Sequence, residues 1–552
     1  ARGLPPRKDI RKTRACWSGR IPYIGVGPRR GDYRMAAGEK DQREAAGVTP
    51  APREIEVKLE ASPSVLRAAF AQAAAAPAAA ARAKTFETTY FDTADNALSR
   101  AGMALRVRRI GRKRVVTFKW PLTGAEGAFT RGEVEAATTT AEPQPELFGP
   151  DAAKMISDII GDAPLEPRSQ TIFRRRIAMI EIADARIEAA LDEGRILANG
   201  RTARIAELEL ELKSGDPAAL FDLASGLVAQ GLRVSAVPKG LRGHWLATGE
   251  SPREVRAVAP HLSADSTLDE SIAAILESSL KHFVANWPAL SPDCPEAVHQ
   301  MRVALRRLRA ALGIFNKGAP HDNFVRFRAE AKRIASAMGE ARDQDVIRDL
   351  IENGPARALG DTASLGSLLK ASARKRAAAY VAVRALIDAP ETSRFVLDLQ
   401  SFIARRGWRN EIAEEAAASA PEFAAQALSR LDKRAQKRGK GLVKLAPEQR
   451  HETRIALKNL RYAADFFASL FGRGKGAKKF ARAIGDLQEA LGAYNDAIVA
   501  RAIVADLEKA AGASSARAAG AVDGWTARGA VDADADLAAA WKKFRKAPRF
   551  WK

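Results

Sequence analysis

Cysteine is nearly missing from this 552-residue chain. Cys16 and Cys294 are its only two, so no disulfide framework can form, and a reducing, cytoplasmic setting is expected. Uninterrupted apolar runs long enough to span a bilayer are also absent from the sequence, and no membrane association is expected. The alanine-rich stretch from Ala71 to Ala83 is too short and holds Pro77, so it reads as an amphipathic helix or a connector between strands. Negative charge is in deficit: 89 Lys and Arg stand against 66 Asp and Glu, a balance of +23, which favours anionic partners. Part of the excess sits in residues 1–34, where ten basic residues meet two Asp among scattered Pro and Gly. Residues 1–50 are therefore expected to be a disordered basic leader. The part before Met35 is read as an over-extended reading frame, which an intact mass of the natively expressed protein starting at or before residue 2 would exclude.

What is present begins with Glu54-Ile55-Glu56-Val57-Lys58-Leu59. In a strand, Glu54, Glu56 and Lys58 share one face and Ile55, Val57 and Leu59 the other. Alone, this is the pattern of an edge strand with a solvated face. The alternation recurs, however, at Arg106 and Arg108, Thr117 and Lys119, Glu133 and Glu135, Arg174 and Arg176, and Glu207, Glu209 and Glu211. Many short strands, each with one charged face, predict a closed antiparallel barrel. If those faces point inward, each buried ion costs several kcal/mol unless it is matched. Arg and Lys then require a polyanion and clustered carboxylates a hard divalent cation such as Mg²⁺ or Mn²⁺. A metal-bound phosphate chain satisfies both.

The ordered set of Glu54, Glu56 and Lys58, the run Tyr90-Phe91-Asp92-Thr93, the run Gly102 to Arg109, and Glu207 to Leu212 resembles the CYTH, or triphosphate tunnel metalloenzyme, family. The resemblance covers roughly residues 52 to 250. It implies an eight-stranded antiparallel tunnel that hydrolyses or transfers triphosphate groups with Mg²⁺ or Mn²⁺. Carried over position by position, it has Lys58, Arg106, Arg108, Lys119, Lys239 and either Arg174 or Arg176 gripping phosphates. Glu54, Glu56, Glu207 and Glu209 hold metal, and Glu133, Glu135 and Asp192 complete the acidic side. Where the family often reads Ser-Lys-x-x-Arg-Gly, this chain has Pro238-Lys239-Gly240-Leu241-Arg242-Gly243. Because Arg174, Arg175 and Arg176 are consecutive, alternation makes the outer two face mates without saying which face is inward. Glu211 reads as a solvated charge at a strand end.

The length exceeds what one core usually serves. After Gly249 a polar segment leads into helical periodicity, giving units of 51–250 for the tunnel, 251–265 for a linker and 266–552 for a helical domain. An internal repeat marks the helical part. His299, Arg302, Arg306 and Arg309 have the same 0, 3, 7, 10 spacing as His451, Arg454, Lys458 and Arg461. At about 100° per residue each set spans an arc of roughly 80°, one basic face of a helix. Beside it runs an apolar stripe, Met301, Leu305, Leu308 and Leu312 in one copy and Leu457 and Leu460 in the other. Downstream, Gly339 to Asp345 and Gly492 to Asp496 repeat at intervals that agree to within one residue.

These residues resemble the CHAD domain, a histidine-containing helical domain of two pseudo-symmetric bundles. The histidines are poor metal ligands, because each shares its face with cations. The family's affinity for polyphosphate implies that the eight repeat residues bind phosphate, with Asp343, Asp345 and Asp496 orienting the arginines or capping helices. A solvated basic face is the plainer reading. Stacking aromatics do not interleave these faces, so nucleic acid is not expected as a partner.

The fold class expected is α+β and multidomain: an eight-stranded antiparallel tunnel with flanking helices, followed by an all-α domain of two helical bundles. The function expected is a metal-dependent hydrolase of inorganic tripolyphosphate, forming pyrophosphate and phosphate, with a helical domain that binds long-chain polyphosphate or places the protein on polyphosphate granules. A non-catalytic polyphosphate-binding protein is the alternative from another class. Adenylate cyclase and thiamine triphosphatase stay open within the enzyme class.

Overall fold

Charged and apolar residues alternate along eight strands, and in the computed structural model those strands close on themselves. The structure describes residues 53–74, 83–122, 128–359, 365–472, 474–512 and 515–552. The basic leader and most of the Ala71 to Ala83 stretch lie outside the described residues.

The barrel strands are β1 (Arg53–Glu60), β2 (Lys84–Asp92), β3 (Ala104–Ile110), β4 (Lys113–Trp120), β5 (Thr130–Thr138), β6 (Glu166–Ile182), β7 (Ala185–Ala198) and β8 (Arg201–Ser214), and a two-residue ninth strand, Arg233–Val234, also pairs with β1. They pair in the order β5-β4-β3-β2-β6-β7-β8-β1, and β1 returns to β5 to seal the barrel. Every pairing is antiparallel, as the alternation predicts. In this ring β8 lies four strands from β3 in either direction, so the two form facing walls.

The barrel is polar inside and apolar outside. Val57, Leu59, Leu208 and Leu210 are fully buried against Leu66 of the Pro63–Ala73 helix and Leu220 and Phe221 of the Pro217–Val228 helix. On the other half, Leu105, Val116 and Phe118 pack under Phe148 and Ile156 of the segment ending in the Pro150–Ile160 helix. Each such side chain contributes about 1.5–3 kcal/mol by leaving water, and this outer shell is what allows the inner face to carry charge.

From Gly249 to Ser266 the chain forms neither helix nor strand, yet it is fastened down. Val255 exchanges backbone bonds with the Asn286 side chain at 2.9 Å each way, and its carbonyl also meets His282 Nε2 at 3.0 Å. Helices then follow, the first being Leu268–Ala285, opened by a capping box in which Thr267 and Glu270 satisfy each other's backbone N–H groups.

The basic motifs lie on Pro295–Gly318 and Pro447–Phe467, which pack against each other. Their apolar stripes, Met301, Leu305, Leu308, Leu312, Leu457 and Leu460, are all buried. The two copies differ downstream. In the first, the chain breaks at Met338 between Asp322–Ala337 and Gly339–Ile351, whereas in the second Gly492 lies inside the unbroken helix Lys475–Ala511.

The two halves share one apolar core. Residues of β1, β7 and β8 fall in the same buried cluster as Ile272, Leu276 and Leu280 of the first helix of the helical part. Pro217–Val228 lies along Pro390–Ala404. Across that seam Ser225 donates to Asp398 at 2.7 Å, Ser401 donates to Asp222 at 2.6 Å, and Arg405 pairs with Asp222.

Candidate active site and basic groove

Register sets the charged rows inside the barrel. Arg175 on β6 pairs with Asp192 on β7, and Asp192 with Glu207 on β8. Lys58 on β1 faces Glu209 on β8, and Lys119 on β4 faces Glu133 on β5. Since side chains of cross-strand partners point to the same face, these registers bring cations and carboxylates together.

On the β7–β8 wall, Arg175 grips Asp192 with two bonds of 2.7 and 2.6 Å and reaches Glu209 as well. Lys239 enters from the start of the Lys239–Thr248 helix, 2.7 Å from Asp192, 2.8 Å from Glu209 and against Glu207. A Cβ at Gly243 would lie 2.4 Å from Ser169 Oγ, and one at Gly240 2.7 Å from the Tyr90 ring. Glycine at both positions lets the helix lie close enough to the barrel to deliver Lys239. Lys58 bridges Glu209, at 2.6 Å, and Glu56. Arg242 supports Glu207 from behind at 3.3 Å.

On the β3–β5 wall, Lys119 binds both oxygens of Glu54, at 2.7 and 2.6 Å, and lies 3.1 Å from Glu133. Arg106 stands 3.6 and 3.7 Å from Glu133 and Glu135, and Thr117 donates to Glu135 at 2.8 Å. Arg108 makes no ion pair among the described contacts. Its Nε, like those of Arg106 and Arg168, is buried without a hydrogen-bond partner. Together with Glu188 and the β1 charges, these residues enclose a cavity of about 430 Å³.

The electrostatics follow from this layout. Burial opposes ionisation of Glu54, but Lys119 and Lys58 outweigh it and hold the carboxyl at about 2. Burial likewise opposes Glu209, and Lys239, Lys58 and Arg175 pull it well below the usual carboxylate range. For Glu56, burial and the adjacent Glu209 carboxylate push the carboxyl up to about 7 despite Lys58. Burial pushes Glu207 up, and Lys239 only partly offsets this. Arg108 is driven down to about 10 by burial and by the guanidinium groups of Arg106 and Arg175. Glu56 and Glu207 thus have too little positive charge around them, Glu209 has ample, and Arg108 on the facing wall has too much.

Asp192, Glu207 and Glu209 can each offer an oxygen within 4.8 Å of the others. The donors are hard oxygens, suited to Mg²⁺ or Mn²⁺, and Lys239 Nζ already gathers an oxygen of each around one positive charge. These residues fit a divalent ion. The grouping differs from the sequence expectation, because Asp192 joins Glu207 and Glu209 while Glu54 is held by Lys119. Glu56 approaches the cluster through their shared partner Lys58.

Two further expectations are corrected. Of the arginine run, Arg175 faces inward and is buried, whereas Arg174 is exposed and Arg176 half-buried on the other face. Glu211, expected in solvent, lines the cavity and pairs with Lys213 at 2.6 Å. Sequence reasoning also missed Arg168 and Arg131. Arg168 sits where the β2–β6 register shifts between Tyr90 and Phe91, so counting alternation along β6 could not have found it.

In the helical part, His299, Arg302 and Arg306 come close to Arg454 and Lys458, and Arg342 from Gly339–Ile351 joins them. The histidine is lowered to about 3 by burial, Arg342 and Arg306, and Lys458 to about 7 by burial, Arg454 and Arg306. Arg309 lies near Arg306 and Arg328, while Arg461 is exposed and donates to Gln488 at 3.1 Å. His451 is exposed, unlike half-buried His299, so the copies are not equivalent. Arg454 stands 3.7 Å from Asp496, and Asp343 faces Arg302. Asp345 instead turns away, to Arg376 at 2.7 Å and Tyr380 at 2.9 Å. Arg307, unmarked in the sequence, is 5% exposed and stacks 4.9 Å over Phe466, tying the two basic helices together.

Comparison with known proteins agrees with both halves. Residues 52–242 match the CYTH domain family, and residues 274–505 match the CHAD domain family. An inorganic triphosphatase from Haemophilus influenzae is 29% identical over 166 residues, 29% of this chain and 45% of that protein. Less than half of that relative's length is therefore matched. The CHAD domain from the plant Ricinus communis is 30% identical with a TM-score of 0.44, over 54% of this chain and 98% of that one. HpAC1 from Hippeastrum, for which a dominant triphosphatase activity is described, is 18% identical with a TM-score of 0.25, over 33% of this chain and 90% of its own. The chain thus carries a CYTH-family domain over residues 52–242 followed by a CHAD-family domain over residues 274–505.

Proposed function

We propose that the chain is a metal-dependent triphosphatase hydrolysing inorganic tripolyphosphate to pyrophosphate and phosphate inside the barrel, and that its basic groove binds long-chain polyphosphate. The observation carrying this reading is one cavity lined on one side by Glu209, the member of the carboxylate cluster on β7 and β8 that reaches it, and on the other by Arg106 and Arg108 of β3, whose Nε atoms are buried without a hydrogen-bond partner. Tripolyphosphate with a divalent ion supplies what each wall lacks. The name of the Haemophilus influenzae relative points the same way.

In this reading Arg106 and Arg108, with Lys119 beside them, take phosphate oxygens in fork geometry. Lys58, Arg175 and Lys239 balance the acidic wall and neutralise the far end of the substrate. Asp192, Glu207 and Glu209 hold the ion, which when bound spreads phosphoryl charge and acidifies a water. Glu54, fixed by Lys119, keeps that lysine directed into the cavity.

Phosphate release from tripolyphosphate, pyrophosphate, ATP and thiamine triphosphate, with Mg²⁺ or Mn²⁺, tests the reading. Fast release from tripolyphosphate, lost on chelation and lowered at least about 100-fold by Glu209→Gln, is expected. Absence of turnover with either metal would leave a polyphosphate-binding protein with a silent tunnel.

A further inference from the structure

A second cavity, of about 210 Å³, opens beside the end of β4 and the start of β5. It shares Glu54, Glu56, Lys58 and Arg131 with the tunnel cavity, so the two adjoin along one wall. Its other side belongs to the CHAD domain: Lys281, Val284 and Ala285, from the C-terminal end of Leu268–Ala285. Val284 is buried, and Lys281 is half-buried.

We propose that the CHAD domain completes the tunnel at this end and that Lys281 is a substrate-binding residue, contacting phosphate oxygens of a tripolyphosphate that extends past Lys58 toward the domain seam. Three features support this. The shared wall carries Lys58 and Arg131, so Lys281 adds a third cation to the lining of this cavity. Glu54 and Glu56 stand in the same wall, and a cavity lined by two carboxylates and three cations suits a metal-bound polyanion better than either ion alone. The helix carrying Lys281 is also held in place, since Leu276 and Leu280 lie in the core shared with the barrel, and His282 and Asn286 are bonded to the connecting segment at Val255. A fixed helix places the base of that side chain, so binding has only the lysine stem left to order.

The inference rests on the triphosphatase reading, and two measurements on the full chain separate them: steady-state kinetics with tripolyphosphate and Mg²⁺, and calorimetric titration of tripolyphosphate with Mg²⁺. Lys281→Ala and Lys281→Met, which retains the methylene stem, are both expected to raise KM and Kd about 5- to 20-fold with kcat changed less than about twofold, and Lys281→Arg to restore them. Wild-type turnover with unchanged KM and Kd in both variants would overturn the inference and leave the reading standing. Loss of kcat at unchanged KM would also overturn it, because that is the mark of a structural role. Wild-type binding without turnover, weakened by Lys281→Met, would sink the reading and keep the inference. Neither binding nor turnover by wild type would sink both.

Discussion

Arg175 holds two carboxylates at once from a single inward position, and its neighbours Arg174 and Arg176 do nothing comparable. Removing one partner from a buried charge network leaves the others uncompensated, at a cost of about 3–5 kcal/mol in the well-studied cases. Lys58 and Lys239 soften that loss here, so Arg175→Ala is expected to destabilise by about 3 kcal/mol. Arg174→Ala is expected to stay within about 0.5 kcal/mol. Urea unfolding of the two variants checks the contrast, and equal midpoints would show that the Asp192 network does not depend on Arg175. Which arginine faces the cavity was not legible in the sequence. Three consecutive arginines fit either parity, and only pairing Arg175 to Asp192 across β6 and β7 decides it.

At the scale of single elements, close approach matters as much as charge. In β7, a Cβ at Gly194 would lie 2.2 Å from the Ile172 carbonyl oxygen and 2.5 Å from Phe173 Cα, and backbone atoms cannot turn aside as a side chain can. Overpacking of this kind costs about 1–3 kcal/mol or more. Gly194→Val is expected to lower Tm by several degrees, about 2–4 °C per kcal/mol for a domain of this size; calorimetry reading no change would mean that β6 and β7 relax apart. The alternating charges made the strands legible, and the 3.6-residue stripes made the basic helices legible. The Met338 break was not, because the helix Lys475–Ala511 carries the matching glycine without interruption.

At the scale of the whole molecule, the two domains share one apolar core, and this leads to an expected single unfolding transition. Domains with separate cores melt separately, whereas a shared one couples them. Two resolved calorimetric transitions would show that the seam around Pro217–Val228 and Pro390–Ala404 contributes little.

The groove gives a second whole-molecule expectation. Burial, then Arg454 and Arg306, hold Lys458 down to about 7, with Arg302, His299 and Asp496 also beside it. Its folded pKa lies below the unfolded one, so its charged form opposes folding most at low pH, and that penalty fades as pH rises above 7. In the proposed reading, polyphosphate bound in the groove would reverse the preference by raising the pKa, so binding would take up a proton. Affinity for polyphosphate is therefore expected to rise as pH falls from alkaline values to about 7 and to level off below. Lys458→Arg should remove that slope in calorimetric titrations, and a slope retained in the variant would assign the proton elsewhere.

The sequence by itself determined which segments alternate charge, where two basic helix faces repeat, and that a barrel so charged needs both a cation and a polyanion. These are local properties, set by the periods of strand and helix. Only tertiary structure decided that Asp192 joins Glu207 and Glu209 rather than Glu54 doing so, that Arg175 is the inward arginine, and that Lys281 of the second domain reaches the edge of the tunnel. Each of these depends on register, shear or domain docking, and residues distant in the chain become neighbours only when the barrel closes and its apolar exterior is covered.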